Sequence, residues 1–243
     1  MTLLLGAGAV LLAAFVKGAI GFGFPTLGTP LLSLVVEVKA AVVALIVPNI
    51  VLDGLQFLRR GAPMAIVQRF AGLLVAGAVG TVLGTRLLAA MPADAALLVL
   101  GAFIVLFVVL NTAGIAPRVP VGWETWLSPL VGFGVGVVGG ITNVPGTPLV
   151  MYFHALALPK PDFVAAVAFT FVVYKLVQLG AVTYYGLLTW PLLGFSFVLT
   201  VIALGGFALG LRVQDRLDQR TFNRVVLGFL ATLGIWLVLR SVW

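Results

Sequence analysis

The chain of 243 residues has no cysteine, a single histidine and only seven acidic residues. Without cysteine there can be no disulfide, no thiolate nucleophile and no zinc–thiolate centre. With His154 as the lone imidazole, a His-rich metal site within one chain is not expected, and no cofactor is implied. Charge of either sign is scarce: 9% of residues are charged, against about 25% in a soluble domain. The net charge of +7 does not indicate nucleic-acid binding, because no soluble segment is long enough to offer a solvated basic face interleaved with aromatics. There is no Walker A signature, so direct ATP drive is not supported.

What fills the chain instead is apolar sequence. Hydrophobic residues make up 62%, against roughly 45–50% in soluble proteins, and the mean hydropathy is +1.24. This composition marks an integral membrane protein. Runs of about 20 apolar residues cross a bilayer core, and the chain divides into such runs. The first extends from Thr2 to Phe24, interrupted by Lys17 and glycines; it has no basic leader and reads as mature membrane structure rather than a signal peptide. A short piece, Thr26–Val36, ends at Glu37-Val38-Lys39. Ala40–Leu58, Ala65–Met91 and Ala95–Leu110 follow. Residues 113–125, with Gly114, Pro117, Pro120 and Gly122, read as a linker between a first membrane repeat (1–112) and a second (126–243). The second contains Trp126–Ile141, the short Pro148–Leu158, then Phe163–Tyr184, Trp190–Leu211 and Val225–Trp243.

Two stretches organise this order. Gly18–Leu34 reads GAIGFGFPTLGTPLLSL, and Gly136–Phe153 reads GVVGGITNVPGTPLVMYF. Both carry Gly-Thr-Pro-Leu, at Gly28–Leu31 and Gly146–Leu149. Glycine and proline in apolar sequence break helices, and broken backbone at membrane depth is tolerated only in protein or around a cavity. Such segments in matching positions of two halves are the best sequence pointer to a transporter's binding site. Further matches support duplication: Ala40-Ala41-Val42 with Ala165-Ala166-Val167, and Gly80-x-x-x-Gly84-x-Arg86 with Gly206-x-x-x-Gly210-x-Arg212. Basic residues cluster after the span ending at Leu58 in the first half and after Leu211 in the second. Because cytoplasmic loops are rich in Lys and Arg, both clusters face one side only if the halves are inverted. The expectation is an all-α polytopic protein of two inverted repeats, with about 8–10 transmembrane or half-membrane helices.

These residues resemble the TauE/SafE family of sulfite-exporter-like permeases. The resemblance rests on the small size, the duplicated module and the Gly-rich, Pro-containing segment opening each half, and it spans essentially the whole chain. It implies a multi-pass protein of a cell membrane, in bacteria the inner membrane, that moves sulfite, organosulfonates or other small sulfur-containing anions. A homo-oligomer is compatible with it.

A buried oxyanion needs donors and positive potential in place of water. Helix N-termini supply both. Threonine caps and proline at the first helical position suit a half-helix start, so Thr29-Pro30 and Thr147-Pro148, with Gly21, Gly23 and Gly146 freeing the backbone, are candidate anion ligands. Lys17 and Lys175 interrupt apolar runs, and charge at membrane depth is a functional candidate by default; either could instead snorkel to an interface. Asp53 could pair with a lysine, relay a proton, or lie near the cytoplasmic end beside Arg59. Asn49 falls opposite Tyr174 in the repeat alignment, next to Lys175, suggesting a shared polar layer. Asn143 could donate to the same anion, though asparagine also bridges helices. His154 could relay protons or be structural. The reading is a secondary transporter, by default an exporter, working by alternating access. Its rivals are an anion channel, a non-transport membrane subunit, or an intramembrane enzyme, for which no nucleophile–base pair is present.

Overall fold

Inside a bilayer the backbone must bond to itself, which leaves helices or closed barrels. The computed structural model describes residues 2–59, 64–113, 119–144, 146–213, 228 and 230–239. Its described elements are all helical: α1 (Thr2–Ile20), α2 (Phe24–Leu32), α3 (Val38–Ala44), α4 (Ile46–Arg59), α5 (Met64–Arg69), α6 (Ala71–Ala90), α7 (Ala93–Thr112), a 3-10 turn (Val121–Trp123), α8 (Glu124–Thr142), α9 (Gly146–Ala155), α10 (Lys160–Tyr184) and α11 (Trp190–Val213). A shorter apolar helix, α12, covers Leu230–Leu239. Among the described residues six stretches are long and apolar enough to cross a membrane: Val38–Arg59, Ala71–Ala90, Ala93–Leu110, Glu124–Thr142, Asp162–Tyr184 and Trp190–Arg212.

Both short helices fold back on the helix before them. Gly28 of α2 comes against Ala13, and Leu32 reaches Gly6, so α2 runs antiparallel to α1. Likewise Tyr152 of α9 returns to Ser128 of α8, with 2.6 Å between hydroxyls. Nine or ten residues of helix rise only about 15 Å, so each is re-entrant rather than spanning. The single span expected over Ala40–Leu58 is two helices meeting at Leu45. Pro48 cannot donate to the Ala44 carbonyl; Ser196 of α11 donates to it instead, at 2.6 Å.

The helices pair reciprocally. α1 packs along α11, and α8 packs along α6. Both pairs are parallel: Gly206 and Gly210 meet the carbonyls of Leu11 and Phe15, and Gly80 and Gly84 meet those of Phe133 and Val137. A Cβ at Gly84 or Gly210 would stand 2.1 Å from a facing carbonyl oxygen, so these seams require glycine. α4 runs antiparallel to α10, since Phe57 stacks on Phe169 with centroids 4.9 Å apart while Ile46 packs with Val182. α7 runs antiparallel to α12, where Gly101 meets Val238 and Gly234 meets Ile104. This is the pattern that two inverted repeats would give.

Two faces result. On one, Lys39 donates to the Ala89 carbonyl at 3.3 Å, joining the start of α3 to the end of α6. On the other, Arg69 and Glu124 form a two-pronged ion pair at 2.7 Å, and Val119 N–H donates to the Ala155 carbonyl. The C-terminal ends of α4 and α11 lie on this second face, each held against the end of α1.

One expectation is overturned. Gly-Thr-Pro-Leu opens a half-helix in the second copy, where α9 begins at Gly146, but not in the first. There α2 begins at Phe24, a turn earlier: Gly23 takes a left-handed conformation with φ 97°, and Pro25 supplies the first-turn proline. Thr29 and Pro30 therefore lie inside α2, and Thr147 lies inside α9, so neither threonine is an N-cap. The helices before the breaks end at left-handed residues, Gly21 (φ 92°) and Asn143 (φ 64°). These are 122 residues apart, whereas Gly28 and Gly146 are 118 apart. The structural correspondence is thus one helical turn out of step with the sequence match.

Replacing Gly84 or Gly210 by alanine should destabilise the protein by about 1–3 kcal/mol through overpacking. Alanine at Gly134 or Gly205, which face open space on α8 and α11, should leave stability unchanged. Thermal unfolding in detergent distinguishes the two pairs; equal melting temperatures for all four would contradict the close seams.

Candidate functional site

Two broken helices expose backbone that polar side chains must answer. At the first break, α1 hands its last carbonyls to the loop Gly21–Gly23, and Gln56 of α4 donates its amide to the Gly21 carbonyl at 2.5 Å. At the second, Gln178 of α10 donates to the Gly139 and Gly140 carbonyls at 3.3 and 3.2 Å. Thr142 donates to Val138 O and accepts from Val144 N–H.

The charged groups lie between these breaks. Lys17 donates to Asp53 Oδ1 at 2.5 Å, an ion pair with the two residues only 0% and 1% exposed. Lys175, 2% exposed, donates to Asn143 Oδ1 and, at 2.6 Å, to Gln178 Oε1. Asn143 in turn donates to Thr29 Oγ1 at 3.1 Å, linking the second break to α2 of the first half. Asp53 and Lys175 are close enough to act on each other electrostatically. The first turn of α9 sits against the first turn of α2, with Gly146 beside Thr26. Two half-helix N-termini, two lysine amines and one aspartate thus share a buried centre.

Several sequence-derived candidates are brought together here: Lys17, Gly21, Thr29, Asp53, Asn143, Gly146 and Lys175. Neither lysine snorkels; both are buried, and Lys17 has Asp53 as its counter-ion. Gly23 caps α2 at the same break. Pro148 lies in the first turn of α9, beside Thr147, whose side chain is outside the described structure. Pro30 leaves the Thr26 carbonyl without a helical N–H donor. Two candidates do not join the cluster. Tyr174 points into the α6–α8 seam, its hydroxyl donating to Leu73 O at 2.9 Å beneath Gly77, because only glycine leaves room for the ring there. His154 is exposed at the far end of α9. The shared layer expected of Asn49 and Tyr174 is therefore not formed; Asn49 donates to Leu45 O at the α3–α4 joint.

Gln178, Gln56 and Thr26 belong to the centre and were not anticipated. A signal existed: Gln178 follows Lys175 by three residues and Gln56 follows Asp53 by three, placing each pair on one helix face. Glutamine in an apolar span costs less than charge, so its presence draws less notice.

A family model described as sulfite exporter TauE/SafE matches residues 6–237. The chain belongs to that family. It is a multi-pass membrane protein of a transporter family. No curated protein and no solved structure matches the chain.

In this TauE/SafE protein, Lys17→Met should cost about 3–5 kcal/mol by leaving the Asp53 carboxylate buried and unpaired. The double variant Lys17→Met/Asp53→Leu should recover most of that loss. Chemical or thermal denaturation in detergent reads both, and a double variant no more stable than the single one would refute the pairing. A cycle of Asn143→Ala and Thr29→Val should give a coupling of about 0.5–1.5 kcal/mol, in the range of interhelical hydrogen bonds in membranes.

Proposed function

We propose that this protein is a secondary transporter of small anions, with sulfite and organosulfonates as the substrate class. The observation that carries the reading is the sealed cationic centre. Lys175, Asn143 and Thr29 are linked where Gly146 meets Thr26 of α2, Lys17 is paired with Asp53, and all four of Lys17, Lys175, Asn143 and Thr29 are buried. An oxyanion arriving there finds ammonium donors, an amide, a hydroxyl and free helix N–H groups, which together replace its hydration shell. The family membership supplies the sulfur class; the charge and donor set supply the preference for an anion. Gly21, Gly23, Pro30, Thr147 and Pro148 contribute by breaking or starting helices around the anion.

The mechanism is alternating access. A centre closed from both faces suits a carrier rather than an open anion channel, since a pore would need a continuous wet path. The halves, residues 1–112 and 126–243 with the linker 113–125 between them, act as inverted repeats. Their reciprocal seams, α1 on α11 and α6 on α8, are smooth glycine contacts on which one half can rock against the other. The face bearing Arg59, Arg69 and Arg212 is cytoplasmic by its basic charge, in a bacterial inner membrane. Export is the default direction, because an inside-negative potential drives an anion outward.

Counterflow of labelled sulfite into proteoliposomes, with sulfoacetate, taurine, thiosulfate, sulfate and a carboxylate as competitors, tests the assignment. Saturable exchange is expected, reduced at least tenfold by Lys175→Ala and ranked in favour of sulfur oxyanions. Absence of exchange for every anion in folded protein would refute the anion assignment; non-saturable flux would favour a channel.

A further inference from the structure

Three side-chain oxygens on α4 are buried without a hydrogen-bond partner among the described residues: Asn49 Oδ1, Asp53 Oδ2 and Gln56 Oε1. Their residues are spaced four and three apart, so they lie on one face of the helix. The hydrogen bonds that this group donates go elsewhere than to these three oxygens. The Asn49 amide bonds Leu45 O, the Gln56 amide bonds Gly21 O, and Lys17 is held by Asp53 Oδ1. What is left is three acceptors, all at least nine-tenths buried. Acceptors cannot satisfy one another; a donor or a cation must complete them.

The charges facing Asp53 narrow the choice. Lys17 of α1 touches it, and Lys175 of α10 acts on it from across the centre. Among the described residues of the other helices packed on α4, Lys39 of α3 is held at Ala89 on one face, Asp162 lies in the first turn of α10, and Arg212 is exposed at the end of α11. A metal cation on Oδ2 would stand beside the Lys17 ammonium without removing it. A proton on Oδ2 converts that oxygen from acceptor to a single donor, with Asn49 Oδ1 one turn before and Gln56 Oε1 one turn after as alternative receivers. The matching position in the second half is Gln178, neutral and fully partnered. Among the described residues this arrangement occurs once.

We infer that Asp53, with Asn49 and Gln56 as hydrogen-bond receivers, is a proton-binding site that loads together with the substrate anion. The inference rests on the anion reading above. With the centre empty, Asp53 is the ion-pair partner of Lys17. An anion seated between Lys17 and Lys175 takes over that role, and the carboxylate, now facing a like charge, takes a proton from hydronium in the aqueous phase. One O–H bond breaks in hydronium, leaving water, as one forms on Asp53 Oδ2, and release to water reverses both. By reciprocity, the proton strengthens anion binding as much as the anion strengthens proton binding.

The test uses methanesulfonate, whose charge is constant through the neutral range, with full-length protein in detergent. Binding in weakly buffered solution should take up about one proton per anion, with affinity falling about tenfold per pH unit on the alkaline side. Asp53→Asn should abolish both the uptake and the pH slope. Binding without proton uptake, uptake persisting in Asp53→Asn, or binding that requires sodium in place of choline would overturn the inference. If wild-type protein binds neither methanesulfonate nor sulfite, the anion reading itself fails. The proton site is then decided by infrared titration: a protonated-carboxyl band missing from Asp53→Asn supports it, and its absence in wild type refutes it.

Discussion

The constraint on which this structure depends is that a helix broken at membrane depth must have its freed backbone groups answered by protein. The chain breaks twice, at Gly21–Gly23 and after Thr142, and each time a glutamine from a neighbouring helix, Gln56 of α4 or Gln178 of α10, turns its amide to the exposed carbonyls. Those glutamines stand three residues from Asp53 and Lys175, so the helices that repair the breaks also carry the charges. Lipid cannot hydrate these groups, so the polar centre, once formed, has to close on itself. That explains why the cluster is dry and why it links both halves: the Lys175–Asn143–Thr29 chain of hydrogen bonds begins in α10 and ends in α2.

The seams follow from the same requirement. Holding two break loops beside two crossing helices demands close backbone approach, and only glycine permits it at Gly84 and Gly210. Without a hydrophobic drive between helices in lipid, close packing and interhelical hydrogen bonds hold the bundle. Ser196 illustrates the economy of the arrangement: one hydroxyl bonds the carbonyl that Pro48 frees and ties α11 to the α3–α4 joint.

Much of this was legible in the sequence. Composition placed the chain in the membrane, and Gly/Pro clusters located both breaks; the second basic cluster, beyond Val213, lies outside the described residues. The intramembrane lysines pointed to the centre, because isolated charge there costs about 2.5–3.5 kcal/mol on insertion scales. Register was not legible. The identical tetrapeptide suggested that Thr29 and Thr147 hold equivalent positions, yet Phe24-Pro25 offers an earlier helix start, and the local energetics of Gly23 and Pro25 outweighed the resemblance. Side-chain direction was equally hidden. Asn49, Tyr174 and Lys175 looked like one layer in a linear alignment, but Tyr174 and Lys175 are adjacent on a helix and so face about 100° apart, one toward the α6–α8 seam and the other toward Asn143.

The departure from symmetry carries the last step. Two inverted halves could have supplied matching charges, but the centre has Asp53 where the other half has Gln178, and the two lysines come from different helices, α1 and α10. A fully symmetric pair of lysine–acid bridges would be neutral and would have no reason to accept an anion. Two lysines and one acid give the proposed anion site two amine partners and a single competing carboxyl. The similar breaks and seams supply the framework, and the difference between Asp53 and Gln178 supplies the asymmetry on which the proposed site rests.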